Sequence, residues 1–292
     1  MQDEASVQRS GQPDEVTSTA VPATAASSAA ADAERAAVRA GVRVLPLDTL
    51  AAVRDAAALF ARVWRTDLST PPLAAEVMRA VEHAGGYVFG AYVDDQLVGA
   101  SSGFLGFDAT RAQVLHSHIS GVIDQGRGVG MALKLHQRAW ALERGITAIT
   151  WTFDPLVRRN AWFNLVKLGA TGVEYLPDFY GPMSDGVNGG QNSDRLFTRW
   201  DLSVEPTGAT DPAGSILLLD EVDGAPRPAA AHCTNGPACL VRLPADIEAM
   251  RQSDPENATR WRIAVRNALV PAFADGLHVR GMTSDHCLVL GR

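Results

Sequence analysis

The sequence predicts a mixed α/β domain on a central sheet, followed by a smaller α+β module. Three observations predict it. Between residues 41 and 204, strand-like runs interleave with runs whose apolar residues recur every three or four positions. A glycine-rich turn, Gln125-Gly126-Arg127-Gly128-Val129-Gly130, sits between one strand-like run and the helix-like run that follows it. Pro206, Gly208, Pro212 and Gly214 then interrupt the chain before a second set of strands and a helix.

Residues 1–40 are rich in Ala, Ser, Thr and Pro and read as a disordered tail, with helical character from about Ala31. The domain over 41–204 opens with a strand at Gly41–Leu45. Leu50, Val53, Ala57, Phe60, Ala61 and Trp64 then mark an amphipathic helix. A second helix follows Pro71-Pro72, and Gly85-Gly86 end it. Tyr87–Val93, a strand from Gln96, and Gln113–Ile123 read as three antiparallel strands. After the glycine turn come a helix to Arg144, a buried strand at Ala148–Phe153, and a helix over Arg158–Leu168 closed by Gly169. Further strands fit Val173–Leu176 and Leu196–Leu202. The module over 205–292 offers strands at Ser215–Leu219, Cys239–Leu243, Leu277–Gly281 and His286–Leu290. Its helix carries Trp261, Val265, Leu269 and Phe273.

The 292 residues hold 26 Lys+Arg against 33 Asp+Glu, a net charge of −7 that speaks against a protein coating nucleic acid. No run reaches the ~18 apolar residues of a membrane span. Three cysteines, Cys233, Cys239 and Cys287, suit small core residues better than a disulfide framework or nucleophiles, which points to a reducing cytoplasm. The acidic amino-terminal segment lacks an apolar signal region. Against this acidic background, Arg111–Lys167 holds eight bases and three acids. Either a solvated helix face or a site for a compact polyanion explains it. The helix after the turn is expected to place Lys134, Gln137, Arg138 and Arg144 on an outer basic face.

Alternating glycines bring successive N–H groups to one point, and a helix amino end adds partial positive charge, so the turn suits a phosphate or pyrophosphate. A triphosphate loop needs Gly-Lys-Ser/Thr, and Met131-Ala132 follow Gly130 instead. A dinucleotide fingerprint needs glycine where Met131 stands. What remains is Gln/Arg-x-x-Gly-x-Gly/Ala, met by Gln125, Gly128 and Gly130. With that pattern, the order of elements and the stretch Asn160, Ala161, Phe163, Lys167, Leu168, Gly169, the chain resembles the GNAT superfamily of acyl-CoA-dependent N-acyltransferases. The runs His118–Val122, Trp151–Leu156, Arg159–Ala161, Tyr180-Gly181 and Ser193–Arg195 look like a subfamily with an extra carboxy-terminal module, some of whose members acylate amino acids.

The resemblance implies a GNAT-like fold, acetyl-CoA or another acyl-CoA as cosubstrate, and direct attack of a small-molecule amine on the thioester. The pyrophosphate would lie on Gln125, Gly126, Arg127, Gly128, Val129 and Gly130. The pantetheine arm would run along Ser120, Gly121 and Val122, with Asn160 near CoA or capping its helix. The donor group would be acetyl or succinyl, and the amine most plausibly that of an amino acid. A homodimer interface and the acceptor pocket are the two roles open to the module.

Such chemistry needs a base for the ammonium proton and a proton donor for the thiolate. Strand alternation puts Val114, His116, His118, Ser120 and Val122 on one face, so both histidines share it. His118 is the candidate base, with hydrogen bonding to loop groups as the other reading. No motif places a third ligand beside the two histidines, so no metal is assigned. Asp154 can bind an ammonium, orient a histidine, or cap the following turn. Asn160 and Asn164 share a helix face at i and i+4. Leu165 occupies the position where many superfamily members carry a tyrosine acid, and Tyr180 is the substitute hydroxyl. Two rivals use the same turn: an inactive CoA-binding sensor, which Leu165 permits, and a dinucleotide-binding oxidoreductase, which Met131 argues against.

Overall fold

The computed structural model describes residues 23–123, 126–183, 185–186, 192–229, 233 and 238–292. Its first element is a helix, α1 (Ala23–Ala40), where a disordered tail is expected up to about Ala31; residues 1–22 of that tail lie outside the described residues. The cause is steric. Ala29, Ala33, Ala36 and Ala40 recur at helical spacing and are all buried, and their small side chains let α1 lie along a later helix, α4 (Val129–Glu143). A composition that resembles low complexity is here a close-packing stripe.

β1 (Arg43–Pro46) precedes α2 (Leu50–Trp64) and α3 (Ala75–His83). Thr49 caps α2 by accepting from the Ala52 N–H at 3.2 Å, and Val53, Ala56, Ala57 and Phe60 form its buried stripe. Next come β2 (Tyr87–Val93), β3 (Gln96–Phe107), β4 (Gln113–Val122), α4 and β5 (Ala148–Phe153). Tyr87 and Val88 are neighbours on β2 yet belong to different hydrophobic clusters. Val88 packs with α2 and α3, Tyr87 with Trp140 of α4, so the two helix pairs cover opposite faces of the sheet.

The helix expected over Arg158–Leu168 is α5 (Arg158–Ala161) continued by a π-helical segment, Trp162–Lys167. The wider winding breaks the i, i+4 relation read for Asn160 and Asn164: Asn164 is buried and Asn160 exposed. β6 (Thr171–Leu176) and β7 (Arg195–Asp201) follow.

From residue 205 the chain forms β8 (Ile216–Val222), β9 (Ala225–Pro228), β10 (Cys239–Arg242), α6 (Ile247–Ser253), α7 (Pro255–Ala274), β11 (His278–Met282) and β12 (Cys287–Gly291). β9 and α6 carry no periodic signal long enough to read in advance. These elements do not stand apart from the first half. The twelve strands among the described residues make one sheet in the order β1-β2-β3-β4-β5-β7-β6-β11-β12-β10-β8-β9, joined across the halves where Val279 pairs with Gly172. One cluster runs from Trp140, Leu165 and Tyr175 to Trp261, Val265 and Leu290. Residue 205 therefore marks a linker in the chain and no gap in the core.

The cysteines also depart from expectation. Cys233 and Cys239 are joined as a disulfide with Cα atoms 6.1 Å apart, while Cys287 is a buried free thiol. An odd count forbids complete pairing but not a single bridge. Among the described residues, no helix is long and apolar enough to cross a membrane.

Candidate active site

Parallel strands β4 and β5 pair only through Leu115↔Ile149 and His116↔Thr150. Beyond those residues the strands part, leaving a split in the middle of the sheet that runs toward the glycine turn. On its other side β4 pairs with β3, where Ser102 meets Ile119 and Gly103 meets Ser117. His118 is thus an extra residue on β4, a β-bulge, and bulges re-aim the side chains that follow them.

The bulge corrects the predicted face. His116 and His118 do share a side: Phe104 lies 5.1 Å from the first ring and 5.8 Å from the second. Ser120 and Val122 turn to the α4 side instead. Ser120 Oγ lies 2.5 Å from Ser101 Oγ, which also accepts from Gln137 of α4, and Val122 packs with Val129 and Leu133. Gly121 now faces α2, where a Cβ would fall 2.9 Å from the Trp64 ring, so glycine is what lets α2 approach.

On the histidine side, His116 is half-buried, with Nδ1 3.2 Å from Thr150 Oγ1. Burial first, then the nearby His118 and Lys134 charges, push its pKa down to about 4, so it is neutral at physiological pH. His118 is exposed, and partial desolvation lowers its pKa from the ordinary value. Across the split, Thr152 Oγ1 lies 3.2 Å from the Tyr180 hydroxyl. Tyr180 packs edge-on against Phe179 and near Arg195, and its backbone N–H donates to Ser193 Oγ at 2.7 Å. His118 and Tyr180 therefore flank the split on one face. Beside Phe104, a trough of about 550 Å³ between α3 and β3 is lined chiefly by Val77, Ala80, Val81, Phe104 and Leu105.

The α4 side differs from the basic outer face expected. Lys134 and Gln137 are buried, Lys134 Nζ donating to Ser117 Oγ at 2.9 Å and Gln137 Nε2 to Ser101 Oγ at 2.8 Å. The outward face is taken by α1, whose Asp32 pairs with Arg138 at 3.2 Å. Polar residues thus line the floor of the split, a placement helical periodicity assigns to solvent. Gln137 Oε1 and Trp151 Nε1 are buried there without hydrogen-bond partners among the described residues.

At the open end of the split, Gly126 and Gly128 have φ of +87° and +85°, a region closed to most side chains. Gly128 begins the 15-residue α4 with no side-chain cap. The first helical N–H groups point outward from Val129, Gly130 and Met131, and space is open where a Cβ on Gly130 would stand. Val129's side chain is buried against α1, so the backbone of this residue is what it offers a ligand. Arg127 is exposed; Gln125 lies outside the described residues. Uncapped helix end, open glycine positions and the two orphaned polar atoms in the split fit an elongated ligand bearing phosphates and amides.

Asp154 does other work. Arg262 of α7 grips it with bonds of 2.8 and 2.6 Å, Arg251 of α6 pairs with it, and its Oδ1 also accepts from the Leu156 N–H. Burial alone would raise its pKa, yet the Arg262, Arg251 and Arg195 charges hold it well below the carboxylate range. It can neither serve as a base nor orient a histidine, and it is withdrawn from the catalytic set. Asp194 is similar, taking Arg266, Tyr175 and the Asp178 N–H. Asn160 is not its helix's cap, because Val157 holds that place. Leu165 is fully buried core.

No family profile matches the chain, and no curated protein does. Several solved structures show a likeness in part of the fold. The ribosomal-protein-S18-alanine N-acetyltransferase from Escherichia coli is 13% identical, with a TM-score of 0.46, over 58% of this chain and 99% of that one. An aminoglycoside 6'-N-acetyltransferase from Enterococcus faecium is 15% identical, with a TM-score of 0.41, over 56% and 98%. A GNAT-family acetyltransferase from Streptococcus pneumoniae is 11% identical, with a TM-score of 0.43, over 54% and 97%. Likeness at this level carries no functional inference.

Proposed function

We propose that this chain is an acyl-CoA-dependent N-acyltransferase of the GNAT kind, acting on the amino group of a small molecule such as an amino acid. The observation that carries the reading is the parted β4–β5 pair, with an uncapped α4 amino end at its mouth and His118 raised on a bulge at its edge. The cosubstrate would supply an activated thioester carbonyl inside the split, its phosphates held by the backbone of Gly126–Gly130.

His118, neutral at pH 7, receives the proton that the acceptor's ammonium loses before its nitrogen attacks. Tyr180, hydrogen-bonded to Thr152 on the opposite strand, is the hydroxyl available to protonate the leaving thiolate. His116 remains neutral beside Thr150 and fixes the floor under the acceptor. The apolar trough beside Phe104 receives the acceptor's apolar portion.

Thermal unfolding with CoA, acetyl-CoA, succinyl-CoA and NAD(H), followed by thiol-release assays on a panel of amines, tests this. Protection by an acyl-CoA with thiol release on an amine is expected. Protection by NAD(H) with none from any CoA would overturn it. Binding without thiol release on any amine would favour the sensor reading.

A further inference from the structure

At the narrow end of the split, on the α4 side, two buried hydrogen-bond donors lack acceptors of opposite charge among the described residues. Lys134 is 6% exposed, and its Nζ donates to Ser117 Oγ at 2.9 Å while standing 4.0 Å from the centre of the Trp151 ring. It joins no ion pair among the described residues, and burial alone accounts for its perturbed acidity. Trp151 Nε1 has no hydrogen-bond partner among the described residues. Ser117 and Trp151 directly follow the last residues that pair β4 with β5, so both donors stand at the vertex where the strands begin to part. A lysine this deeply buried without a counterion is uncommon, because desolvating a lone charge is costly.

We propose that this vertex is a carboxylate subsite, in which Lys134 Nζ and Trp151 Nε1 hold the far end of the donor's acyl group, so that the preferred donor is an acyl-CoA whose chain ends in a carboxylate. The inference rests on the acyl-CoA reading above and narrows its donor class.

The direction of entry supports the assignment. A cosubstrate anchored by phosphates at Gly126–Gly130 enters the split at its open end, and the acyl group is the part that travels furthest toward the vertex. Lys134 Nζ meets Ser117, five residues back along β4 from Val122 and about 16 Å by strand rise, at the inner end of that path. No ladder bond has to break for the chain to enter, since β4 and β5 are unpaired to each other beyond His116 and Thr150. An aliphatic acyl end leaves Trp151 Nε1 without an acceptor and Lys134 without a counterion, whereas a carboxylate accepts from both. Burial pushes the Lys134 pKa down to about 7; an arriving carboxylate would restore the charge by drawing one proton from solvent.

The test compares succinyl-CoA with butyryl-CoA, which match in chain length and differ in carboxylate against methyl. Dissociation constants for the wild-type full chain are measured by calorimetry, with CoA alone as reference. Succinyl-CoA is expected to bind at least tenfold more tightly than butyryl-CoA. Equal affinity, or a preference for butyryl-CoA, overturns the subsite and leaves the acyl-CoA reading standing. Failure of all three ligands to bind overturns the acyl-CoA reading itself, and the subsite with it. Lys134→Met should erase the difference by weakening succinyl-CoA without weakening butyryl-CoA; an unchanged ratio in the folded variant overturns the role of Lys134. Should that variant not fold, the wild-type ratio decides.

Discussion

His116 and His118 are two residues apart on one strand, but their surroundings give them different work. His116 is wedged against Thr150 and Phe197 and kept neutral, while His118 stands exposed on the bulge. Replacing His118 by Ala should lower kcat by roughly 10²–10⁴-fold, the usual range for a general base, with CoA affinity unchanged. Steady-state kinetics beside calorimetry separates the two, and an unchanged kcat would make the histidine structural. Lys134 has a signature in stability. Burial pushes its pKa in the folded chain down to about 7, below the ordinary lysine value of 10.5, so between those values the unfolded chain binds more protons and stability rises with pH. Melting temperatures at pH 7 and pH 9 should therefore climb more for the wild type than for Lys134→Met. Equal slopes would show that the lysine is not desolvated.

Among the elements, α4 joins the two sides of the proposed site. Its amino end is the proposed anion mount: Gly128→Asp puts a side chain at a φ of +85° and a negative charge there, and CoA affinity should fall roughly tenfold or more. Its outer flank is covered by the alanine stripe of α1. Ala36→Leu overfills that contact and should cost about 1–3 kcal/mol in urea unfolding. These contacts show where sequence reading succeeds and stops. The strands, the glycine turn and the long helices are legible because each has its own local period. The inward turn of Lys134 and Gln137 is not, because periodicity sends polar residues outward and the floor of a split sheet reverses that rule. Strict alternation likewise cannot reveal a bulge, whose extra residue shows only against β3, so it puts the two histidines on their shared side and assigns Ser120 and Val122 to the wrong one.

Across the whole molecule, the second half is bolted to the first by charge as well as by core. Asp154 directly follows β5, and its partners Arg251 and Arg262 are 97 and 108 residues further along the chain, a separation no local pattern can signal. Asp154→Ala would remove the carboxylate that the buried Arg262 grips with two bonds and should cost about 3–5 kcal/mol. Urea unfolding of the wild type should show one transition, because the sheet and its largest cluster cross residue 205. Two separated transitions would show that the halves fold independently.

The two ends of the twelve-stranded sheet carry a consequence for association. Each outermost strand, β1 and β9, is four residues long, and between them they hold Pro46, Pro226 and Pro228. Proline brings no N–H to a neighbouring ladder, and a short rim gives a foreign strand little to grip. An open sheet this wide is thereby guarded against end-to-end polymerisation, and copies of the chain that meet must do so through helices and loops.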